Sequence, residues 1–549
     1  MNESTLLLVS LLLPLFGAIA IATVLSKTDV RRIALGIATV TMICSLLVVI
    51  GFDSNQESST NGEYAATQMR WLPETTGVDL RFSIGLDGLG LWLYGLSTIL
   101  MMTAILVSWE AISQRRPLFY AMLLLLESGC LGAFVARDLL LFYVFFEFTL
   151  IPLFFLIGIW GSEDRRYAAT KFFLFTLAGS LITFVGLLTI VGHAASVSNG
   201  DLISFSIPHI TSALQTNPMP VGTQKMVFAA LFAGFAIKVP LFPLHTWLPL
   251  AHVQAPTAGS VFLAGILLKI GTYGFLRFNI PMLPHASAAL APLLLWLSVI
   301  GIIYGALVAL AQSDMKRLIA YSSVSHLGFV VLGLFALNAI AVQGAALQMI
   351  NHGISTGALF AIIGMIYERY HTRSIDRFGG LAKKMPIMAF FMLLFTFSSI
   401  GLPGLNGFAG EIMILLGTFQ QAFGSPSGST GGQRIVAVLA VSGVVLGAWY
   451  MLWLVRRVFF GVLREPRTDN SNDASSPPIQ DLSIREIAAL VPLAILVFWI
   501  GLYPKYFLDR MAPSVNAATA AANREAGSPA TINAADFAVV SEPQPSELR

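Results

Sequence analysis

The sequence predicts an all-α polytopic membrane protein of about fourteen transmembrane helices. Three observations carry that expectation. Mean hydropathy is +0.77, with 56% of the 549 residues hydrophobic and only 11% charged. Apolar runs of ~20 residues, long enough to span a ~30 Å hydrocarbon layer, recur from end to end. Nearly all the charge falls in the short stretches between them. A water-soluble core of this length has no use for so much apolar surface. A β-barrel would show ~10-residue alternating segments instead of continuous runs.

Spans are expected at 5–25, 32–52, 86–108, 118–136, 139–160, 170–192, 225–244, 258–278, 289–311, 317–337, 339–367, 386–422, 435–460 and 485–503. The first run has no basic segment ahead of it and leads into further spans, so it reads as a retained helix and not a signal peptide. Of the 32 Lys and Arg residues, 20 fall in loops on the side of Lys27, Arg31 and Arg32, 10 on the other, and Lys238 and Lys269 inside helices. The positive-inside rule then places the basic loops in the cytoplasm or matrix and both termini outside. Cys44 and Cys130 lie in apolar runs with no C-x-x-C spacing, which argues against zinc or iron–sulfur ligation and for packing.

Three stretches differ from the spans. Residues 53–85 are polar and end in LRFSIGLDGLGLWL, which suggests an external hairpin. Residues 193–224 form a second external segment with a short surface helix expected around Ile203. The tail from Ala512 to Arg549 is rich in Ala, Ser, Asn, Pro and Glu and is expected to be disordered or laid against a neighbouring subunit.

Two spans should be broken. FAGFAIKVPLFPLHTWLP places Pro240 and Pro243 in the seventh, and SSIGLPGLNGFAGE places Pro403 and four glycines in the twelfth. Proline removes a backbone donor and opposes the preceding turn. Backbone left unpaired at membrane depth is tolerated only where protein or a wet cavity surrounds it. Two breaks five helices apart suggest inverted repeats. The chain divides accordingly into two helices and a hairpin (1–85), a third helix (86–117), repeats at 118–278 and 279–460, a loop and last helix (461–511), and the tail (512–549).

An ionisable group near the bilayer centre costs ~2.5–3.5 kcal/mol on insertion scales, so each one in an apolar run needs a reason. Glu147, Lys238, Lys269, His326, His352 and Glu411 form such a set, on helices 5, 7, 8, 10, 11 and 12. Desolvation favours the neutral form of a buried lysine or carboxylic acid, and an approaching opposite charge reverses the preference. Moving one charge can therefore move a proton, with histidine as a relay of little driving force. A Glu147–Lys238 pair feeding Lys269, the two histidines and then Glu411 would make an acid–base ladder. The competing structural account is ion pairing, snorkelling or hydrogen bonding that only holds helices together. Glu127 on helix 4 fits a path member or helix–helix glue equally, His245 fits a tie across the break or an opening of the path, and Asp138 fits a helix cap.

The strings ARDLLLFYVFFEFTLIPLFFLIGIWG, FAIKVPLFPLHTWLPLAHVQAPTAGSVFLAGILLKIGTYGFLRF, SDMKRLIAYSSVSHLGFV and GLPGLNGFAGE resemble the proton-conducting membrane module of respiratory complex I and its relatives, the multi-subunit cation/proton antiporters and membrane-bound hydrogenases. The match runs from roughly Leu80 to Phe460. Glu411, where the related L and N subunits carry Lys, favours the M branch (mitochondrial subunit 4). The resemblance implies that Glu147, Lys238, Lys269 and Glu411 are the central ionisable residues, linked by His326 and His352. It also implies a translocase subunit of NADH:quinone oxidoreductase with no redox chemistry and no cofactor or metal of its own. NAD, flavin, iron–sulfur and quinone sites would lie on partner subunits. Expected partners are neighbouring antiporter-like membrane subunits and the lipid bilayer, with no nucleic acid, in a bacterial plasma membrane. The alternatives are an antiporter or hydrogenase homologue, a stand-alone solute transporter and a structural scaffold.

Overall fold

A computed structural model describes residues 2–23, 29–53, 64–197, 202–424, 431–466 and 479–527. In chain order the helices are α1 (Glu3–Thr23), α2 (Val30–Gly51), α3 (Leu91–Ala111), α4 (Arg116–Val135), α5 (Leu139–Trp160), α6 (Arg165–Val197), α7 (Ile207–Thr216), α8 (Val221–Lys238), α9 (Trp247–Gln254), α10 (Thr257–Met282), α11 (Pro284–Leu310), α12 (Met315–Phe335), α13 (Ala339–Tyr370), α14 (Pro386–Ser399), α15 (Asn406–Phe423), α16 (Gly431–Phe459), α17 (Ile484–Leu502) and α18 (Lys505–Glu525). Four short strands join them, β1 (Tyr64–Arg70), β2 (Val78–Asp79), β3 (Arg81–Leu86) and β4 (Ile203–Ser204).

Among the described residues twelve helices are long and apolar enough to cross a membrane, not fourteen. The two expected spans missing from the twelve are the broken ones. Helix α8 stops at Lys238 and resumes as α9 at Trp247, and α14 stops at Ser399 and resumes as α15 at Asn406. Carbonyls freed at the first break find partners: the Trp247 indole donates to Ile237 O at 2.9 Å and Leu241 N to Ala236 O at 2.9 Å. At the second, Gly401 and Gly404 take φ of +71° and +92°, a backbone that a side chain would strain. Helix α8 approaches its break from the face opposite the basic loops and α14 from the basic face, as inverted repeats require. Helices α10 and α13 are enclosed by protein along their apolar stretches, whereas α1, α2, α16 and α17 each leave a face for lipid.

The polar segment after α2 does pair as a hairpin, β1 antiparallel to β3 with Gln68 opposite Ser83 and Met69 opposite Phe82. Two expectations need correction. Ile203 lies in β4, parallel to β2, and the surface helix begins four residues later as α7. The segment from Ala512 to Gly527, expected to be disordered, is ordered, and nearly all of it belongs to α18; 528–549 lie outside the described residues. Phe507, Met511, Val515 and Ala522 are buried at near-helical spacing, so the polar composition hides an apolar stripe. The stripe lies across the face opposite the basic loops. There Trp92 donates to Phe507 O (3.2 Å), Gly88 N to Ser514 Oγ (2.9 Å) and Gln343 to Asn516 (2.9 Å), and His285 pairs with Glu525 (2.9 Å).

That face also holds a buried ionic cluster. Asp87 accepts from Arg277 Nη1 and Nη2 at 2.5 and 2.6 Å and from Arg137 Nη1 at 2.7 Å, joining the loop before α3 to the ends of α10 and α4. Burial alone would raise the Asp87 carboxyl, but the charges of Arg277 and Arg137 outweigh it and hold it below the usual carboxylate range. A carboxyl depressed in the folded state stabilises above its unfolded value, about pH 4, and loses that contribution only as pH falls through the folded value.

Asp87→Ala should therefore destabilise by about 3–5 kcal/mol, because two arginines stay buried together. Wild-type thermal unfolding followed between pH 5 and 8 should show no slope that Asp87→Asn abolishes. Val515→Asp, which buries a carboxylate under α18, should lower the unfolding midpoint of the purified protein, while Lys505→Ala on the exposed face leaves it unchanged.

Candidate functional site: a polar chain at mid-membrane

Four of the six expected residues meet. Helices α10 and α13 cross where two glycines face each other, and a Cβ on Gly353 would stand 2.7 Å from Gly265 O. Helix α10 carries π-helical turns at Leu263–Leu267 and Phe275–Asn279, a local widening often found at functional sites. Between those turns Lys269 is fully buried; its ammonium donates to Ala264 O and lies 2.7 Å from His352 Nδ1 on α13.

The His352 and His326 rings are 5.8 Å apart between centroids. His352 Nε2 has no hydrogen-bond partner among the described residues, and the rings border a cavity of about 10 Å³ that Gln348, Asn351, Ser355, Ser398 and Ser399 also line. That volume matches the centre of one water molecule among polar partners. His326 Nδ1 lies 3.3 Å from Glu411 Oε1, and its Nε2 lies 3.2 Å from both Ser399 Oγ and Tyr450 Oη. Gln348 donates to the same Glu411 oxygen at 3.1 Å, and Asn351 links Gln348 (3.2 Å) to Asn406 O (2.7 Å) at the start of α15. The break ahead of α15 thus brings Glu411 into the network, with Oε2 so close to Gly401 that a Cβ there would stand at 2.7 Å.

Lys238 and Glu147 form a separate centre. They make no ion pair; the Lys238 ammonium donates to Phe146 O (3.0 Å) and Thr149 Oγ1 (3.1 Å) and sits 3.8 Å over the Phe146 ring. Glu147 Oε1 has no hydrogen-bond partner, though the carboxyl is within electrostatic reach of Lys238. No hydrogen bond joins this centre to Lys269; the helices that carry the two lysines meet in an apolar contact, Gly271 and Gly274 of α10 against Phe235 of α8 and Val239 just after it. Glu127 is fully buried with neither oxygen hydrogen-bonded among the described residues, and Cys130 lies within electrostatic reach of both Glu127 and Lys238. His245 is ringed by Phe242, Tyr304 and Tyr321, with Nδ1 unpartnered. Asp138 is a cap, accepting from Leu140 N and Leu141 N at 3.0 and 3.1 Å.

Sequence reasoning missed His252 and Lys316. His252, at the end of α9, is fully buried with both ring nitrogens unpartnered among the described residues, stacked on Phe360 at 4.5 Å and within electrostatic reach of Lys269 and Lys316. Lys316 belongs to a basic loop by sequence, yet it is buried and donates to Ala255 O at 2.6 Å. It lines a cavity of about 500 Å³ that opens on the basic face beside Glu110, Glu368, His371 and Arg373. Tyr450, Gln348 and Asn351 were also missed. The last two sit in QMINHGIS beside His352, where uncharged polar residues in an apolar run were a usable signal.

A broken-helix repeat pair around a mid-membrane line of ionisable residues defines an antiporter-like membrane subunit. The family described as NADH:quinone oxidoreductase/Mrp antiporter, transmembrane, matches residues 136–424, and the chain belongs to it. A Rhodobacter capsulatus protein named NADH-quinone oxidoreductase subunit M is 42% identical over 92% of this chain and 94% of its own. A Chondrus crispus protein named NADH-ubiquinone oxidoreductase chain 4 is 40% identical over 92% and 96%. A chain of respiratory complex I from Thermus thermophilus superimposes with a TM-score of 0.81 at 29% identity, covering 94% of this chain and 99% of that one.

If Lys269 and His352 act as one unit, their neutral variants cannot be additive. Lys269→Gln and His352→Gln should each slow proton transfer, and the double variant should be little slower than the slower single. A coupling of about 0.5–3 kcal/mol is expected; additive losses would separate the two residues.

Proposed function

We propose that this chain is a proton-translocating membrane subunit, of the M type, in an NADH:quinone oxidoreductase of a bacterial plasma membrane, with both termini outside. The observation that supports it most is the contact chain Lys269–His352–His326–Glu411, which crosses four helices within the membrane. A proton leaving the Lys269 ammonium arrives at His352 Nδ1, and His352 releases another from Nε2 toward the small cavity. His326 takes it up at Nε2 and passes one from Nδ1 to the Glu411 carboxylate. Each histidine gains and loses one proton, so the net change is transfer from lysine to glutamate. The basic-face cavity, Lys316 and His252 supply the route of uptake toward Lys269.

Redox cofactors and quinone belong to partner subunits, and energy reaches this chain as a charge displacement passed along neighbouring antiporter-like subunits. Moving a charge near Glu147 changes the balance at Lys238, and the apolar contact between the helices of Lys238 and Lys269 is where wetting would connect the two centres.

Proton pumping by sealed vesicles energised with NADH tests this. Lys238→Ala and Glu411→Gln should each reduce pumping several-fold while the complex assembles normally. Normal pumping by both assembled variants would leave the buried charges a purely structural role and sink the proposal.

A further inference from the structure

The basic end of α16 carries a feature that proton transfer does not use. Val438, Val441, Val445, Trp449 and Leu452 are exposed at three- and four-residue spacing, so they form one apolar stripe along α16. The stripe ends at Arg456, with Arg457 beside it, and both are exposed. Neither makes an ion pair among the described residues; Arg457 lies over the Trp453 ring at 5.6 Å. Both line a cavity of about 780 Å³, together with Phe460 and Arg464. The Arg464 guanidinium is positioned by Asp376 O at 3.1 Å. Two carboxylates also line the cavity. Glu465 is engaged by Lys384 at 2.8 Å, which leaves Asp376 as the other negative charge against three arginines.

We infer that this groove binds an anionic phospholipid, with its phosphate at Arg456 and Arg457 and an acyl chain along the stripe. From Val438 to Arg456 the helix rises about 27 Å at 1.5 Å per residue, most of a ~30 Å hydrocarbon core, and the half from Val445 spans about one leaflet. That half of the stripe therefore matches one acyl layer and the arginines fall at head-group level. A zwitterionic lipid brings its own cation beside the phosphate and adds no net charge, whereas a phosphatidylglycerol head group sets one net negative charge against the two arginines. Arginines that merely snorkel would sit at the same depth without choosing between these lipids.

The assembled complex, reconstituted in phosphatidylcholine vesicles, would be photolabelled with phosphatidylglycerol carrying a photoactivatable acyl chain. A second preparation would receive the matching phosphatidylcholine label. Peptides covering 435–463 are then quantified by mass spectrometry. Two interfacial cations should favour the anionic label on the order of tenfold. The Arg456→Gln/Arg457→Gln pair should erase that preference, Arg456→Lys/Arg457→Lys should keep it, and millimolar inorganic phosphate should not compete. Equal labelling by the two lipids, labelling indifferent to the glutamine pair, or protection of the stripe by a partner subunit would each overturn the proposal. The lysine pair keeps the test open if the glutamine pair fails to assemble, because single Arg→Gln variants then grade against it.

Discussion

A charge carried into hydrocarbon must be surrounded by protein or water, and the architecture follows from that requirement. Lys269 and His352 lie on α10 and α13, which are enclosed along their apolar stretches, while Glu147 on the half-buried α5 is only partly covered, on the same helix face as the exposed Val144 and Ile151. The same rule governs the backbone. The break after Lys238 starts with buried Val239, Pro240 and Leu241, and the Trp247 indole supplies the partner that lipid could not, whereas the break after Ser399 leaves Leu402 and Pro403 exposed on this chain. Glycine contacts set how close the enclosed helices come. Without the Gly265–Gly353 crossing, Lys269 and His352 could not share a 2.7 Å contact.

Much of this was legible in the sequence, because lipid as solvent makes composition decisive. Long apolar runs gave the helices, prolines gave both breaks, and a lone Glu, Lys or His in an apolar run stood out at all six candidate positions. What was not legible depends on neighbours distant in sequence. The α18 stripe is thin, one apolar residue per turn among alanines and asparagines, and it orders only because α3, α11 and α13 offer a surface beneath it. Asp87 lay in a glycine-rich string that read as a turn, and nothing local linked it to Arg137 and Arg277, 50 and 190 residues away. Tyr450 reaches His326 from a helix 124 residues distant and carries no charge to draw attention. Lys316 looked like an ordinary loop cation because the sequence does not reveal that it lies buried in the first turn of α12 against Ala255.

The expected ladder assumed contact at every step, and the structure divides it. Lys238 spends its hydrogen bonds on Phe146 O and Thr149, not on Glu147, and none reaches Lys269, whose helix meets that of Lys238 through the apolar Phe235 and Val239. For a translocating protein such an interval has a purpose. A line of groups hydrogen-bonded without interruption from one face to the other would conduct protons down the gradient it is meant to build. A dry interval makes conduction conditional on a second arrangement, in which water enters or a charge moves. The divided layout is therefore what two-state control demands, and a continuous ladder in a resting structure would have been harder to reconcile with pumping.

The direction of the connected half leads to the same conclusion. Lys269, His352, His326 and Glu411 run sideways from α10 to α15 through α13 and α12, within the membrane plane and not across it. A lateral line stores and shares protons but reaches neither face by itself, so access must come from separate openings. One is the 500 Å³ cavity at Lys316 on the basic face, separated from Lys269 by His252. At the opposite end of α10, the Asp87–Arg137–Arg277 cluster holds one carboxylate between two guanidiniums and carries a net positive charge. A proton travelling along α10 toward that face would meet repulsion, while Glu411, four helices over, offers a carboxylate. For the proposed path the charges thus favour release at the Glu411 end over the Asp87 end of α10, an asymmetry that would give a set of buried ionisable residues a direction.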